Sequence, residues 1–255
     1  MANIKKKGTG KMENTAYIAL SGQSALKRKM SVIANNLANM NTTAYKGETT
    51  MFVEHLVKSK GGTSFIPQKL TYTRDVAQHQ NFAEGPIKNT GNPLDIAIHG
   101  DGYFVMDTPN GERYTRNGHL TLSNDGKLVN LNNQAILSDA GTPFFFGPED
   151  KDISITSDGL ISTSNGQIGK IRIVKFDTPQ NLQKRAGGLY FSEDPPVDVT
   201  NPTVVQRSLE SSNINPMSEI TKMITVQRAY DSVRTFIDKE DQRQKKMIQA
   251  LTSRG

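Results

Sequence analysis

An apolar seam spaced alternately by four and three residues limits what this chain can become more than any other feature. It runs Met12, Ala16, Ala19, Gln23, Leu26, Met30, Ile33, Leu37, Met40, interrupted only by the polar Gln23. A straight helix of 3.6 residues per turn drifts off such a line, so a seam this long predicts a helix lying along another helix. A matching stretch stands at the far end of the chain: Met223, Val226, Tyr230, Val233, Ile237, Glu240, Gln244, Met247, Leu251, with Glu240 and Gln244 as breaks. No other segment of comparable length has helical periodicity. Two ordinary amphipathic helices on one globular core would have similar faces. Their positions argue against that, because everything between them reads as strand and turn.

The intervening chain is punctuated rather than periodic. The first helix is expected to end in Asn39-Met40-Asn41-Thr42-Thr43, whose side chains compete for backbone hydrogen bonds. Residues 44–58 are mixed, a short helix or extended arm, and Gly61-Gly62-Thr63-Ser64 reads as a flexible joint. Alternation at Leu94-Asp95-Ile96-Ala97-Ile98, and the apolar runs Gly102–Met106 and Lys170–Phe176, predict strands. Turn signals recur at Asn110-Gly111, Asn117-Gly118, Asp125-Gly126, Asn132-Asn133, Ala140-Gly141, Asp158-Gly159 and Asn165-Gly166, which predicts an antiparallel meander. Pro216 suits the first turn of the second helix, where its missing donor costs nothing.

Chemistry is hard to find. The 255 residues include no Cys, so disulfides and thiolate metal sites are excluded. His55, His79, His99 and His119 share no metal-ligand spacing. His99-Gly100-Asp101-Gly102 begins like a phosphate loop but lacks the third glycine and the following helix. No nucleophile elbow, nucleotide loop or paired-carboxylate pattern appears, so no enzyme, cofactor or metal is expected. The net charge of +6 permits nucleic acid as a partner, with Lys5–Lys7 as a basic arm. Two of the three basic clusters fall on solvated helix faces instead. No apolar segment follows the basic N-terminus as in a cleaved signal, and no stretch is long enough to span a membrane.

The seam lies inside a phrase that identifies the chain with a family. Val32-Ile33-Ala34-Asn35-Asn36-Leu37-Ala38-Asn39, followed by Asn41-Thr42-Thr43-Ala44-Tyr45-Lys46, resembles the N-terminal signature of the bacterial flagellar rod and hook family. Gly91-Asn92-Pro93-Leu94-Asp95-Ile96-Ala97-Ile98 with Gly102-Tyr103-Phe104, and Tyr114-Thr115-Arg116-Asn117-Gly118, are similar to its central motifs. Ser212-Asn213-Ile214-Asn215-Pro216 with Gln227-Arg228-Ala229-Tyr230 is similar to its C-terminal signature. The chain departs from the pattern at Ala44-Tyr45, where the family carries Gly-Phe, and so lacks the glycine of a tight turn. The opening Met12-Glu13-Asn14-Thr15 and the length are most similar to a proximal rod subunit, with a distal rod subunit as the alternative.

The expected fold class is α+β: long N- and C-terminal helices pair as an antiparallel coiled-coil-like hairpin, with a central all-β domain of antiparallel hairpins. Residues 1–11 are expected to form a disordered tail, 12–43 the N-terminal helix, 44–85 a connecting arm, 86–200 the β domain, and 201–255 a return segment and the C-terminal helix. The resemblance implies a structural subunit of the basal-body rod, exported by the flagellar type III apparatus without signal cleavage and stacked into the periplasmic drive shaft. Its implied partners are other rod subunits and that apparatus, with no nucleic acid and no membrane insertion. The seams and signatures place the assembly interface at Leu26, Met30, Ile33, Asn35, Asn36, Leu37, Asn39, Met40, Met223, Val226, Gln227, Tyr230, Val233, Ile237, Met247 and Leu251.

Overall fold

The structure, a computed structural model, describes residues 9–58, 69–150 and 152–252, with side chains described for 17–51, 79–150, 152–250 and 252. The expected tail as far as Gly8, the joint at Gly61–Ser64 and the side chains of Met12, Ala16 and Leu251 lie outside the described residues. The chain divides into two compact units, one of Met1–Ala38, Glu48–His79 and Asn215–Gly255, the other of Asn39–Gly47 and Gln80–Ile214.

The first unit holds helix α1 (Thr9–Ala38), strands β1 (Glu48–Lys58) and β2 (Lys69–Gln80), which pair in a two-stranded sheet, and helix α2 (Pro216–Thr252). Helix α2 starts where the sequence says it should. Pro216 occupies the first position, and the side chain of Asn215 accepts from the Ser218 amide at 3.1 Å, satisfying a donor that the helix itself leaves open. Helix α1 packs against both α2 and β1.

The second unit is built from short strands. In chain order these are β3 (Ile87–Asn89), β4 (Ile96–His99), β5 (Tyr103–Asp107), β6 (Arg113–Thr115), β7 (Leu120–Leu122), β8 (Leu128–Asn130), β9 (Ala135–Ile136), β10 (Ser154–Ile155), β11 (Leu160–Thr163), β12 (Gly166–Lys170), β13 (Ile173–Lys175), β14 (Gln183–Lys184), β15 (Tyr190–Phe191), β16 (Val197–Asp198), β17 (Thr203–Gln206) and β18 (Ser208–Glu210). The main sheet has the order β14-β15-β6-β5-β9-β8-β7, with β13 beside β5 and β16 beside β13. Side chains alternate across it, as the two-residue period of a strand requires. Phe104 and Met106 enter one apolar cluster with Leu128, Ile136 and Ile161, while Tyr103 and Val105 enter another with Tyr114, Val174, Phe176 and Tyr190.

The expected fold class needs correcting. Strand structure is not confined to a central domain, because β1 and β2 belong to the same compact unit as the helices. Nor is the β unit simply a run of antiparallel hairpins. Its closing pairs join segments far apart in sequence: β17 with β4, β18 with β3 and β13 with β5. The coiled-coil-like hairpin fails on α1, where the buried positions are Ala25, Val32, Ile33 and Asn36 and the seam residues Leu26, Met30 and Leu37 are only half-buried. Two partners, α2 and β1, set the inward face of α1, which keeps Ile33 of the seam and otherwise departs from it. The strand expected over Lys170–Phe176 is also divided, since β12 ends at Lys170 and β13 starts at Ile173.

Candidate functional site

Along helix α2 the seam residues are covered unevenly. Val226 is buried, and Met223, Tyr230, Val233 and Ile237 are half-buried. Gln227 is exposed and Met247 is 41 % exposed. After Val226 no described side chain of α2 is fully buried. On α1, Ile33 is buried, Leu26, Met30 and Leu37 are half-buried, and Asn35 is exposed. Asn39 and Met40, beyond its end, are half-buried.

Asn36 lies inward and is occupied. Its amide nitrogen donates to the Glu48 carbonyl at 2.8 Å and to Glu219 Oε2 at 3.2 Å, and its oxygen accepts from the Glu48 amide at 3.0 Å. Lys222 donates to the other oxygen of Glu219 at 2.6 Å. One amide thus ties α1, β1 and α2 together. A buried polar group fixes a packing register only when every one of its hydrogen bonds is made, and here they are.

The second unit hides a larger polar cluster that sequence reading missed. Lys46 and Glu210 are each 1 % exposed and Arg116 5 %. Lys46 Nζ donates to Glu210 Oε1 at 2.5 Å and to the Ala83 carbonyl at 2.8 Å. Arg116 Nε donates to Glu210 Oε2 at 2.7 Å, and its remaining nitrogens reach the carbonyls of Ile98, Gly100 and Gly102. The Gly85 amide completes the carboxylate at 2.9 Å. Burial pulls the Lys46 ammonium below its ordinary range, against the attraction and hydrogen bond of Glu210. Two cations on one carboxylate hold three segments of the chain at one point. The signal was present, since Lys46 and Arg116 both sit in recognised motifs, but nothing local marks Glu210 as their common partner.

Other motif residues are likewise structural. Asp95 is buried, accepts from Thr90 Oγ1 at 2.6 Å and Asn92 Nδ2 at 3.0 Å, and lies 2.7 Å from His119 Nδ1. Asn213 donates to the carbonyls of Asn81 and Ala83 and accepts from the Gly47 amide. Gly118 is a glycine for want of space: a Cβ there would fall on the Ile96 carbonyl. Ala44, standing in for the expected glycine, holds φ at 56°. Among the described residues no group of His, Cys, Asp and Glu is arranged to hold a metal. No helix of the described residues is long and apolar enough to cross a membrane. What the geometry offers is braced internal clusters and a long, half-covered helix surface.

Comparison with known proteins matches three family descriptions along the chain. They are "Flagella basal body rod protein" over residues 17–46, "Flagellar hook protein FlgE/F/G D1 domain" over 97–163, and "Flagellar basal body rod FlgEFG protein C-terminal" over 205–250. The flagellar basal-body rod protein FlgF of Caulobacter vibrioides is 35% identical over 243 residues, 94% of this chain and 98% of its own. FlgF of Mesorhizobium japonicum is 30% identical, covering 96% of this chain and 100% of its own. The flagellar basal-body rod protein FlgG of Bacillus subtilis is 30% identical, covering 91% and 96%.

Proposed function

The chain belongs to the family of flagellar basal-body rod proteins, and from that premise we propose that its two terminal helices are the surfaces by which it joins the rod. It is a structural subunit of the flagellar basal body and assembles with other rod and hook proteins. The proposed interface comprises Leu26, Met30, Ile33, Leu37 and Met40 from the first seam and Met223, Val226, Tyr230, Val233, Ile237, Met247 and Leu251 from the second, with Asn35, Asn39 and Gln227 beside them. The observation that carries this reading is the incomplete burial of α2: an apolar line at three- and four-residue spacing in which Tyr230, Val233 and Ile237 are half-buried and Met247 is exposed. Apolar surface left in water costs roughly 25 cal/mol per Å², so packing against neighbouring subunits is where such a line gains its stability. A head-to-tail contact that does not close on itself yields an open filament, which is the form of a shaft.

In this proposal the subunit leaves the cell through the flagellar type III apparatus without signal cleavage and works in the periplasm as scaffold rather than catalyst. It needs neither nucleic acid nor insertion in a membrane. Leu37→Asp and Tyr230→Asp test the surface, because each would place a desolvated charge in a helix interface. Both variants are expected to be missing from isolated basal bodies, with motility lost and the β unit still folded by its tyrosine circular dichroism. Normal incorporation and swimming of both would discard this assignment of the faces.

A further inference from the structure

A cavity of about 140 Å³ opens within the β unit, where the start of β5 and the end of β13 meet the segment leading into Gly85. Phe82, Phe176 and the ring of Tyr103 form its apolar walls. Tyr103 is 6 % exposed, and its hydroxyl makes no hydrogen bond within the described residues. Among the described side chains Thr50 alone holds an unpaired polar atom shut from solvent, so the Tyr103 hydroxyl opens to the cavity. Burial pushes this phenol well above its ordinary range, and it keeps its proton to donate. Only something polar that enters the cavity can pair with it.

Charge at the rim has both signs. Lys175 and Asp101 are exposed there, and neither forms an ion pair among the described residues. Glu84 is held in place, with Oε1 3.0 Å from His99 Nδ1 and Oε2 accepting from the Gly100 amide at 3.1 Å. Arg116 also borders the cavity, but its nitrogens are spent on Glu210 and three carbonyls. A free anion would meet two carboxylates here, and a simple cation would meet an ammonium. The set suits a neutral molecule whose hydroxyls both donate and accept, with an apolar face to lay on the rings. A cavity of roughly 150 Å³ holds a benzene ring, so the room is that of one six-membered ring with its substituents at the mouth. A pyranose has that size and both kinds of surface.

We propose that this cavity binds a pyranose unit, a function that goes beyond the rod reading and does not depend on it. Lys175 and Tyr103 donate to the sugar's hydroxyl oxygens, Asp101 and Glu84 accept from its hydroxyl protons, and its C–H face lies against Phe82 and Phe176. A free sugar and one residue of a glycan strand present the same chemistry, because a single ring fills the site.

The full chain, isotopically labelled in its tyrosines, tests this by NMR titration with glucose, galactose, mannose and N-acetylglucosamine. At least one of the four is expected to shift the Tyr103 signal saturably. Tighter binding of that sugar's tetramer marks a glycan strand as the source, and equal binding marks the free sugar. Saturation transfer to the sugar's own signals then measures the variants. Tyr103→Phe removes the hydroxyl but no hydrogen bond inside the subunit, so it is expected to keep the unfolding midpoint and to weaken binding about fivefold, the worth of one hydrogen bond. Lys175→Ala, at an exposed side chain, is expected to weaken it at least as much, and it decides alone should Tyr103→Phe fail to fold. No response to any of the four sugars would mean that the cavity holds water only and would overturn the proposal. So would a response that these variants leave unchanged, or a saturable shift of Tyr103 by acetate or methylammonium and by none of the sugars.

Discussion

The two units bury their apolar side chains to very different depths. In the β unit Ile96, Phe104, Met106, Leu128, Ile136 and Ile161 are all at 0 % exposure, sealed between strands that close on one another. In the helical unit the long α2 fully buries only Glu219 and Val226 among its described side chains, and Phe236 and Ile248 remain 48 and 61 % exposed. Among the described side chains, one unit buries its apolar residues deeply, while the other buries Ala25, Val32, Ile33 and Val226 around the hydrogen-bonded amide of Asn36 and leaves much of α2 open. Stability and assembly are therefore expected to separate by unit, and substitutions in each unit can break or sharpen that separation.

Glu210→Gln is expected to produce the largest loss. It leaves Lys46 and Arg116 buried beside a neutral group, and removing one member of a buried ion cluster costs about 3–5 kcal/mol. Denaturation followed by the tyrosine signal of Tyr103, Tyr114 and Tyr190 measures it. The pH dependence has a definite sign. Desolvation holds the folded pKa of Lys46 below the value of about 10.4 that it takes in the unfolded chain, so between the two the unfolded state binds more protons and stability rises with pH. Glu210 opposes that lowering, so in the Gln variant the rise should begin at lower pH and be larger. An unchanged alkaline profile would mean that Lys46 is not the group responsible. If the helical ends of Glu210→Gln melted with the β unit, the proposed independence of the two would be lost.

A middle-sized effect is expected at the other clamp. Asn36→Ala removes the hydrogen bonds that tie α1 to the Glu48 backbone and to Glu219, a cost of about 1–3 kcal/mol. Helical circular dichroism should melt earlier while the tyrosine signal of the β unit keeps its midpoint. A shift of both would show that Asn36 braces more than its own unit.

These two residues also mark how far the sequence could be read. Turn chemistry was legible because it is local: Gly111, Gly126, Gly141 and Gly159 all take positive φ where the Asn-Gly, Asp-Gly and Ala-Gly pairs stand, and Asn133 does the same at 59°. The inward face of α1 was only partly legible, because β1 packs on the same helix and a strand partner leaves no trace in a heptad pattern. The pairings β4–β17 and β3–β18 were not legible, since alternation tells a strand which face to bury but not which distant strand to join. Glu210 was lost for the same reason. In isolation it is one more polar residue in a short strand, and its meaning comes from Lys46 and Arg116, which are 164 and 94 residues away.

The smallest expected effect concerns a departure from the motif itself. Removing the glycine expected before Tyr45 did not remove the turn. Ala44 takes φ 56° while its amide donates to the Glu210 carbonyl at 2.8 Å and Lys46 enters the buried cluster two residues on. These two anchors hold the backbone in the left-handed region, at a cost to an L-residue of about 1 kcal/mol. Glycine adopts that conformation freely but gives the unfolded chain more entropy to lose, so the two terms partly cancel. Ala44→Gly is therefore expected to stabilise the β unit by about 0.5 kcal/mol, read as a small rise in denaturation midpoint with no change at the helical ends. A loss of stability would show instead that the alanine methyl, 8 % exposed, contributes more by packing than it costs in strain.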